Sequence, residues 1–364
     1  MTIQDVINEL QSYAPLSYQE SYDNSGLLVG DAKEPLKGIL TTVDTTEETV
    51  DEAIQLGVNI IVSHHPIIFK GLQKITGSCE NERVILKAIQ NNIALYAAHT
   101  NLDNSYNGVN AINAKKLGLQ NTRLLAPKKH ELCKLVTFVP RNYATTVRNA
   151  LFRAGAGSIG EYDSCSFNVG GYGSFRAGED SNPFVGNKGE IHYETEEKIE
   201  TIFPKRLQNT IIDALNKAHP YEEVAYDIYI LENPHPLIGS GMFGTLEQPM
   251  KEKSFLKHVK NVFNCDMIRH TNFLNKNIQQ VAISGGSGSF LIPQAMQAGA
   301  DVFISADIKY HDFFNERKNM LIVDIGHYES EQFTSELLYN VLSKKFTNFA
   351  VYQTTINTNP INYI

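Results

Sequence analysis

The chain has 364 residues, of which 42% are hydrophobic and 20% are charged, and its formal net charge is −8. This composition is that of a globular protein, and the acidic balance disfavours a basic nucleic-acid-binding surface without excluding local basic patches. Because no run of about 18 apolar residues occurs, we expect no membrane span and no membrane partner.

The N-terminal segment and the cysteines both favour a cytoplasmic protein. Residues 1–6 are typical of an amphipathic helix and have no cationic lead of a signal peptide. The cysteines are widely separated and form no C-x-x-C pair, so we expect neither a zinc ribbon nor a disulfide framework. They are Cys79, Cys133, Cys165 and Cys265.

A strand–helix–strand pattern occurs twice. Residues 52–63 align without a gap with residues 294–305, at an offset of 242 (294 − 52). Each segment predicts a helix end, a glycine cap and a short buried strand. Further strands are predicted before and after each segment, at residues 39–43, 93–98, 281–284 and 320–325. We therefore predict an α/β fold with two similar halves and mostly parallel sheets, forming one core domain. Chance similarity of two common βαβ patterns is the alternative.

Between the halves lies a stretch of different character with prolines at both edges. Its pattern predicts strand, helix, strand, strand, helix and strand, which suits an inserted ferredoxin-like α+β domain. The glycine-rich residues 170–173 lack the lysine of a phosphate loop, so we interpret them as a flexible hairpin. The predicted domains are residues 1–126 for the first half of the core, 127–236 for the insertion and 237–364 for the second half.

Metal-ligating side chains follow the predicted strands. His64 and His65 end one strand, which Pro66 prevents from continuing. Other strands are followed by His99 and Asp103, by Asp307 and His311, and by His327 and Glu331. Because parallel strands end at the same edge of a sheet, we expect these polar residues to gather there.

The ligand types favour a transition-metal centre. His327 and Glu331 are four residues apart and share a face if a helix begins near them. Alone, this spacing suits an exposed helix start, and Asp103 suits a turn or helix cap. Together with His64 and His65 they make five imidazole and carboxylate ligands, which suit zinc, manganese, iron or cobalt better than calcium or magnesium. Five ligands exceed the needs of one tetrahedral zinc, so a two-metal site is favoured.

Two histidines and one loop have other candidate roles. His99 and His311 could shuttle a proton or hydrogen-bond a metal ligand, and for His99 a structural hydrogen bond is an equal alternative. Residues 284–289 follow a strand and precede a predicted helix. Backbone N–H groups at Ser287 and Gly288 are candidates for holding a phosphate, although the P-loop lysine is absent.

Several motifs in order resemble the Nif-three-like dinuclear-metal proteins, described as GTP cyclohydrolase I type two homologues. The resemblance covers essentially the whole chain. One departure is Tyr22, where the family is expected to carry tryptophan, a mild packing change that does not touch the ligands. The motifs are residues 22–30 (YDNSGLLVG), 63–66 (SHHP), 99–103 (HTNLD), 284–288 (SGGSG), 307–312 (DIKYHD) and 326–331 (GHYESE).

The resemblance implies two divalent metal ions per subunit, zinc being the first choice, with manganese, iron or cobalt as alternatives. It assigns them to His64, His65, Asp103, His327 and Glu331. It also implies that the insertion is similar to small trimeric PII-like or CutA-like proteins, with the signature at residues 219–223 (HPYEE), and that the chain forms a homohexameric toroid. We interpret His219 as a helix-ending turn residue rather than a further ligand.

The resemblance also implies an activity, the opening of the guanine imidazole ring of GTP with release of formate. Two alternatives stay open. The chain could be another two-metal hydrolase that acts on phosphoesters or nucleotides, because metal ligands do not specify the bond that is cleaved. It could also be a non-enzymatic, metal-binding scaffold or regulatory protein, so the sequence leaves open whether it is an enzyme.

Overall fold

The computed structural model describes residues 1–314 and 319–364. The chain divides into two compact units, one of Met1–Pro127 with Pro236–Ile364 and the other of Lys128–His235. Its mixed α/β character agrees with the sequence prediction. In the described residues, every helix is too short or too polar to cross a membrane.

The strands and helices are numbered in chain order. The strands are β1 (Gly26–Val29), β2 (Gly38–Thr42), β3 (Ile60–Ser63), β4 (Ala94–Ala97), β5 (Leu119–Pro127), β6 (Leu132–Pro140), β7 (Phe167–Arg176), β8 (Ile191–Pro204), β9 (Tyr226–Ile230), β10 (Gly239–Lys251), β11 (Arg269–His270), β12 (Asn277–Ser287), β13 (Val302–Ala306), β14 (Leu321–Asp324) and β15 (Ala350–Gln353). The helices are α1 (Ile3–Tyr13), α2 (Glu47–Leu56), α3 (Glu80–Gln90), α4 (Thr100–Asp103), α5 (Val109–Lys116), α6 (Ala144–Arg153), α7 (Gln208–Ala218), α8 (Glu252–Val262), α9 (Ile292–Gln297), α10 (His327–Glu331) and α11 (Thr334–Lys345).

A five-stranded sheet carries the first repeat, in the order β1-β4-β3-β2-β15. The pairs from β4 to β15 are parallel, and β1 is antiparallel to β4. Every residue of β3 is buried, as its continuous apolar run predicts for a central strand covered on both faces. Gly57 caps α2 in the left-handed conformation before β3 begins, which confirms the predicted glycine cap.

A six-stranded sheet carries the second repeat, in the order β11-β14-β13-β12-β10-β5. Strands β12, β13 and β14 are parallel, as predicted. The other three pairings are antiparallel, so the prediction of a mostly parallel sheet is wrong here. The insertion accounts for the pairing of β5 with β10, because the chain leaves the core unit at the end of β5 and re-enters it before β10, which runs in the opposite direction.

Each of these sheets takes an edge strand from the other half of the sequence. Strand β15 near the C-terminus pairs with β2, and β5 from the first half pairs with β10. The two predicted halves are therefore linked through backbone hydrogen bonds rather than forming separate sheets.

The unit Lys128–His235 contains a four-stranded antiparallel sheet in the order β7-β8-β6-β9. Helices α6 and α7 pack against it around a core that includes Leu135, Val147, Ile199 and Leu215. The glycine-rich residues 170–173 are not the predicted hairpin. They lie inside β7, where they pair with residues 194–197 of β8.

Candidate metal centre

All five predicted ligands lie in one cluster at the carboxyl ends of parallel strands. His64 and His65 directly follow β3, and Asp103 ends the short helix after β4. His327 and Glu331 begin and end α10, the helix after β14. Parallel strands place His64, His65 and Asp103 at one edge of the five-stranded sheet, an edge where ligand sites are built in α/β proteins, and the helix after β14 of the six-stranded sheet adds His327 and Glu331.

The cluster is divided into two groups of three ligands that share Glu331. In the first group, Glu331 Oε2 lies 3.0 Å from His65 Nε2 and 3.0 Å from His327 Nε2. In the second, His64 Nε2 lies 3.6 Å from Glu331 Oε1 and 3.7 Å from Asp103 Oδ1. Within each group the ligand atoms lie within 4.8 Å of one another. One carboxylate thus presents a different oxygen to each group, as a bridging ligand would.

Each of the three histidines in these groups is anchored through Nδ1. His64 Nδ1 lies 2.8 Å from the carbonyl oxygen of Ala98. His65 Nδ1 lies 2.7 Å from Asp44 Oδ1, and His327 Nδ1 lies 2.7 Å from Asp307 Oδ2. A proton held on Nδ1 by such an acceptor leaves the Nε2 lone pair directed at the cluster, as metal-binding histidines require.

Several ligand atoms are buried without a hydrogen-bond partner. Among the described residues, and with each imidazole protonated on Nδ1 alone, they are His64 Nε2, Asp103 Oδ1 and Glu331 Oε2. The Glu331 side chain is 3% exposed and that of His64 is fully buried. Leaving buried polar atoms unsatisfied is costly, and divalent cations, one in each group, would satisfy these atoms. The donor set and its burial therefore fit a metal centre.

Burial and neighbouring charges shift the pKa values of Asp103 and Glu331 in opposite directions. Burial raises the pKa of Asp103 to about 7, with Glu331 adding to the effect and His64 opposing it. Burial also disfavours the ionised form of Glu331, but the three surrounding imidazoles outweigh it and hold the pKa of Glu331 well below its ordinary value. Glu331 is therefore ionised and available to a cation.

The imidazoles of the first group hold protons tightly in the absence of a metal ion. Burial lowers the pKa of His65, yet its contacts with Asp44 and Glu331 outweigh burial and raise it to about 10. Contacts with Glu331 and Asp307 likewise outweigh burial and raise the pKa of His327 to about 9. A bound cation would have to displace these protons, because metal-ligating imidazoles are neutral.

Of the two candidate catalytic histidines, His99 lies at the cluster. Its ring centroid lies 5.3 Å from that of His64 and 5.5 Å from that of His65. Its Nδ1 lies 2.7 Å from Asp23 Oδ1, so it is anchored like the predicted ligands. One ligand atom each of His64, His65 and His99 also lie within 4.8 Å of one another.

His311 lies in a short exposed 3-10 helix, Tyr310–Phe314, where its ring contacts Tyr310 and Phe314. Among the described residues, it is neither in the ligand groups nor in the lining of the adjoining cavity. The structure thus brings His99 to the site and leaves His311 outside it.

A cavity of about 500 Å³ adjoins the ligands. Tyr22 and Phe290 belong to its lining and are 66% and 62% exposed. His99, Asp103 and Glu331 lie in the same lining. The cavity gives a small organic molecule room beside the metal ligands.

The predicted anion loop lies at the same cavity, but several of its hydrogen-bond donors already bind other residues of the chain. Strand β12 continues through Ser287, whose hydroxyl donates to Asp307. The N–H groups of Gly285 and Gly286 donate to Asn110 and Ser330, each at 2.9 Å. Phosphate binding by Ser287 and Gly288 stays a prediction.

The sequence placed Asp307 at the expected edge of the sheet, but it predicted no anchoring role for Asp23, Asp44 or Asp307. Asp44 has a recognisable signal, because it follows β2 in the way that the ligands follow neighbouring strands. Asp23 lies within the N-terminal motif, and Asp307 lies among the residues after β13. Their pairing with particular histidines had no local signal.

Known proteins resemble this chain over its whole length. The model of the family Duf34/NIF3 (NGG1p interacting factor 3) matches residues 1–360. A Halalkalibacterium halodurans protein named GTP cyclohydrolase 1 type 2 homolog is 40% identical over 99% of this chain and 98% of the relative. A Bacillus subtilis protein of the same name is 38% identical over the same shares.

Solved structures agree with this match. A Bacillus cereus protein related to NIF3 superposes with a TM-score of 0.85 at 38% identity, covering 100% of this chain and 99% of the other. Staphylococcus aureus protein SA1388 has a TM-score of 0.81 at 33% identity with the same coverage.

Proposed function

The chain belongs to the Duf34/NIF3 family, and from this premise we propose that it is a dinuclear-metal-dependent hydrolase that opens the imidazole ring of GTP and releases formate. The name shared by its relatives supports this choice of substrate. The observation that carries the proposal is the pair of ligand groups sharing Glu331, with buried ligand atoms that lack a hydrogen-bond partner.

Two divalent ions fit the donor set, zinc being the first choice. His65, His327 and one oxygen of Glu331 would hold one ion, and His64, Asp103 and the other oxygen would hold the second. Such a centre supplies Lewis-acid polarisation and makes water nucleophilic near neutral pH.

The residues of the chain supply binding and proton transfer. Tyr22 and Phe290 expose aromatic rings in the cavity, and such rings stack with nucleobases in other proteins. His99, held on Nδ1 by Asp23, can hold or release a proton at Nε2 beside the ligands. Its position favours it over His311 for this role.

The proposed reaction consumes two waters. The first adds at C8 while the C8–N9 bond breaks. C8 then remains as a formamide on N7, and N9 carries a hydrogen. The second cleaves the formamide to formate and an amine. Each cleavage needs a proton delivered to a leaving nitrogen, the task assigned to His99.

The test is to incubate metal-loaded protein with GTP and measure formate. We expect formate from the wild type and from His270→Ala, a control for an exposed histidine outside the cluster. We expect none above background from His65→Ala. Phosphate release without formate would instead indicate another two-metal hydrolase. Full metal occupancy without turnover of any nucleotide would indicate a scaffold or regulatory protein.

Three further properties are part of the proposal. The sheet order β7-β8-β6-β9 with two helices supports a ferredoxin-like insertion similar to PII-like proteins. The family resemblance supports a homohexameric toroid, which analytical ultracentrifugation would test. The expected location is the cytoplasm, for which fluorescence microscopy of a tagged protein is the test.

A further inference from the structure

The unit Lys128–His235 has its own cavity of about 670 Å³. Strands β7 and β8 form its floor, and residues 177–184 and 221–225 form its walls. All of its lining residues belong to this unit, and none is a residue of the proposed metal centre.

The glycines of β7 make room for this cavity. Glycine inside a strand weakens it and often marks the close approach of a ligand or of another chain segment. A Cβ atom at Gly170 or Gly171 would meet nothing within 4 Å, so these positions leave open space over the sheet. A Cβ atom at Gly173 would overlap the carboxylate of Glu196. The glycine-rich run therefore leaves space for the cavity, and the absence of a side chain at Gly173 makes room for the Glu196 carboxylate.

Glu196 is the buried charged group of this cavity, and its residue is 8% exposed. The Tyr221 hydroxyl donates to Glu196 Oε1 at 3.0 Å. Among the described residues, Oε2 has no hydrogen-bond donor. Two cationic residues also belong to the lining. Lys198 is committed to an ion pair with Glu200, and Arg176 is exposed.

The Tyr221 ring, whose hydroxyl contacts this carboxylate, lies beside two other aromatic rings of the cavity. The Tyr221 ring centroid lies 6.0 Å from that of Phe175 and 6.2 Å from that of Phe184. His219 positions Tyr221, because its Nδ1 accepts the Tyr221 N–H at 3.1 Å while its Nε2 is held by the carbonyl oxygen of Phe138. Aromatic faces beside a carboxylate attract organic cations.

We propose that this cavity binds an organic cation with a primary ammonium or guanidinium group, which donates to Glu196 Oε2 while its apolar part lies against Phe175, Phe184 and Tyr221. The lining disfavours an anion, which would meet the Glu196 carboxylate. A neutral apolar ligand would leave Oε2 buried without a donor.

The test uses the full chain and isothermal titration calorimetry with phenethylamine, its neutral analogue phenethyl alcohol and the anion phenylpropionate. Wild-type protein should bind the amine more tightly than either analogue. Glu196→Gln should weaken amine binding at least about tenfold, the effect of losing one hydrogen bond to a charged group. Glu197→Gln is the matched control, since Glu197 is the next residue of β8, lies outside the cavity lining and pairs with Arg148.

Equal affinity for amine and alcohol, tighter binding of phenylpropionate, no amine binding at millimolar concentration, or unchanged affinity in Glu196→Gln would each overturn the proposal. Gly173→Ala gives a second variant in case Glu196→Gln fails to fold, because the added methyl displaces the carboxylate from its seat. Circular dichroism of each variant verifies folding. The assay needs neither metal nor GTP, so its outcome is independent of the proposed hydrolase activity.

Discussion

The two cavities are similar in size, but they differ in whether the chain itself compensates the negative charge of a buried carboxylate. Beside the metal ligands, the imidazoles of the chain surround Glu331 and hold its pKa well below the ordinary value. In the inserted unit, burial and the nearby Glu194 raise the pKa of Glu196 despite the hydrogen bond from Tyr221. Neighbouring imidazoles keep the first carboxylate ionised. Among the described residues the second has no cationic partner, and a ligand that brings one would stabilise it.

The largest expected effect comes from removing the carboxylate shared by both ligand groups. Glu331→Gln should lose both ions, with a fall in metal affinity beyond the roughly 10–100-fold typical of outer-shell changes. Elemental analysis of protein purified without added metal is the measurement. Glu336→Gln, the same change at a surface ion pair with Lys116, should keep full occupancy. Two ions retained in Glu331→Gln would refute the shared-ligand arrangement.

A smaller effect is expected from the anchoring carboxylates. Asp44→Asn and Asp307→Asn should each lower the affinity for the ion held by His65 and His327 by about 10–100-fold. The affinity for the other ion should not change. Titration with a competing chelator should resolve one weak and one unchanged site per chain. Asp51→Asn, at a surface pair with Lys87, is the control. Equal weakening of both sites would contradict the division into two groups.

Metal removal should also lower thermal stability. A ligand present at about 100 times its Kd stabilises the folded state by about 2.7 kcal/mol, or roughly 5–10 °C in Tm for a unit of this size. Differential scanning calorimetry with and without chelator measures the shift. In Glu331→Gln, the chelator should cause no shift in Tm. A shift of equal size in that variant would mean that the stabilising ion is bound outside this centre.

The smallest effect concerns pH and the inserted unit. Because the folded-state pKa of Glu196 is raised, its contribution to stability is fully present below the unfolded pKa and is lost as pH rises through the folded value. Glu196→Gln should therefore be more stable than the wild type at pH 7, and the difference should disappear below about pH 4.

Urea unfolding at both pH values measures this difference. Glu197→Gln breaks the pair with Arg148 and should give no stabilisation at pH 7. If Glu196→Gln were less stable than the wild type at pH 7, groups of the chain would already compensate the charge of Glu196. The contrast between the two cavities would then be wrong.

Much of the candidate site was predictable because its residues lie at strand ends. The apolar run before His64 identifies β3, and Pro66 prevents its continuation. Similar patterns place Asp103 and His327 after β4 and β14. Parallel strands bring His64, His65 and Asp103 to one edge of the first sheet. His327 and Glu331 follow a strand of the second sheet, so local patterns predict each set but not the meeting of the two. The prediction of a mostly parallel second sheet was wrong because the antiparallel pairings of β10 with β5 and β12, and of β11 with β14, have no local signature.

The sequence by itself determined which residues could be ligands, where the buried strands run and where the chain departs into an insertion. Only the tertiary structure decided that Glu331 is shared between two groups, that Asp44 and Asp307 anchor the histidines, and that Gly173 in β7 seats Glu196 of β8. The physical reason is that hydrophobic periodicity and turn residues act over a few positions. Which side chains face one another depends instead on strand order and register between segments far apart in the chain.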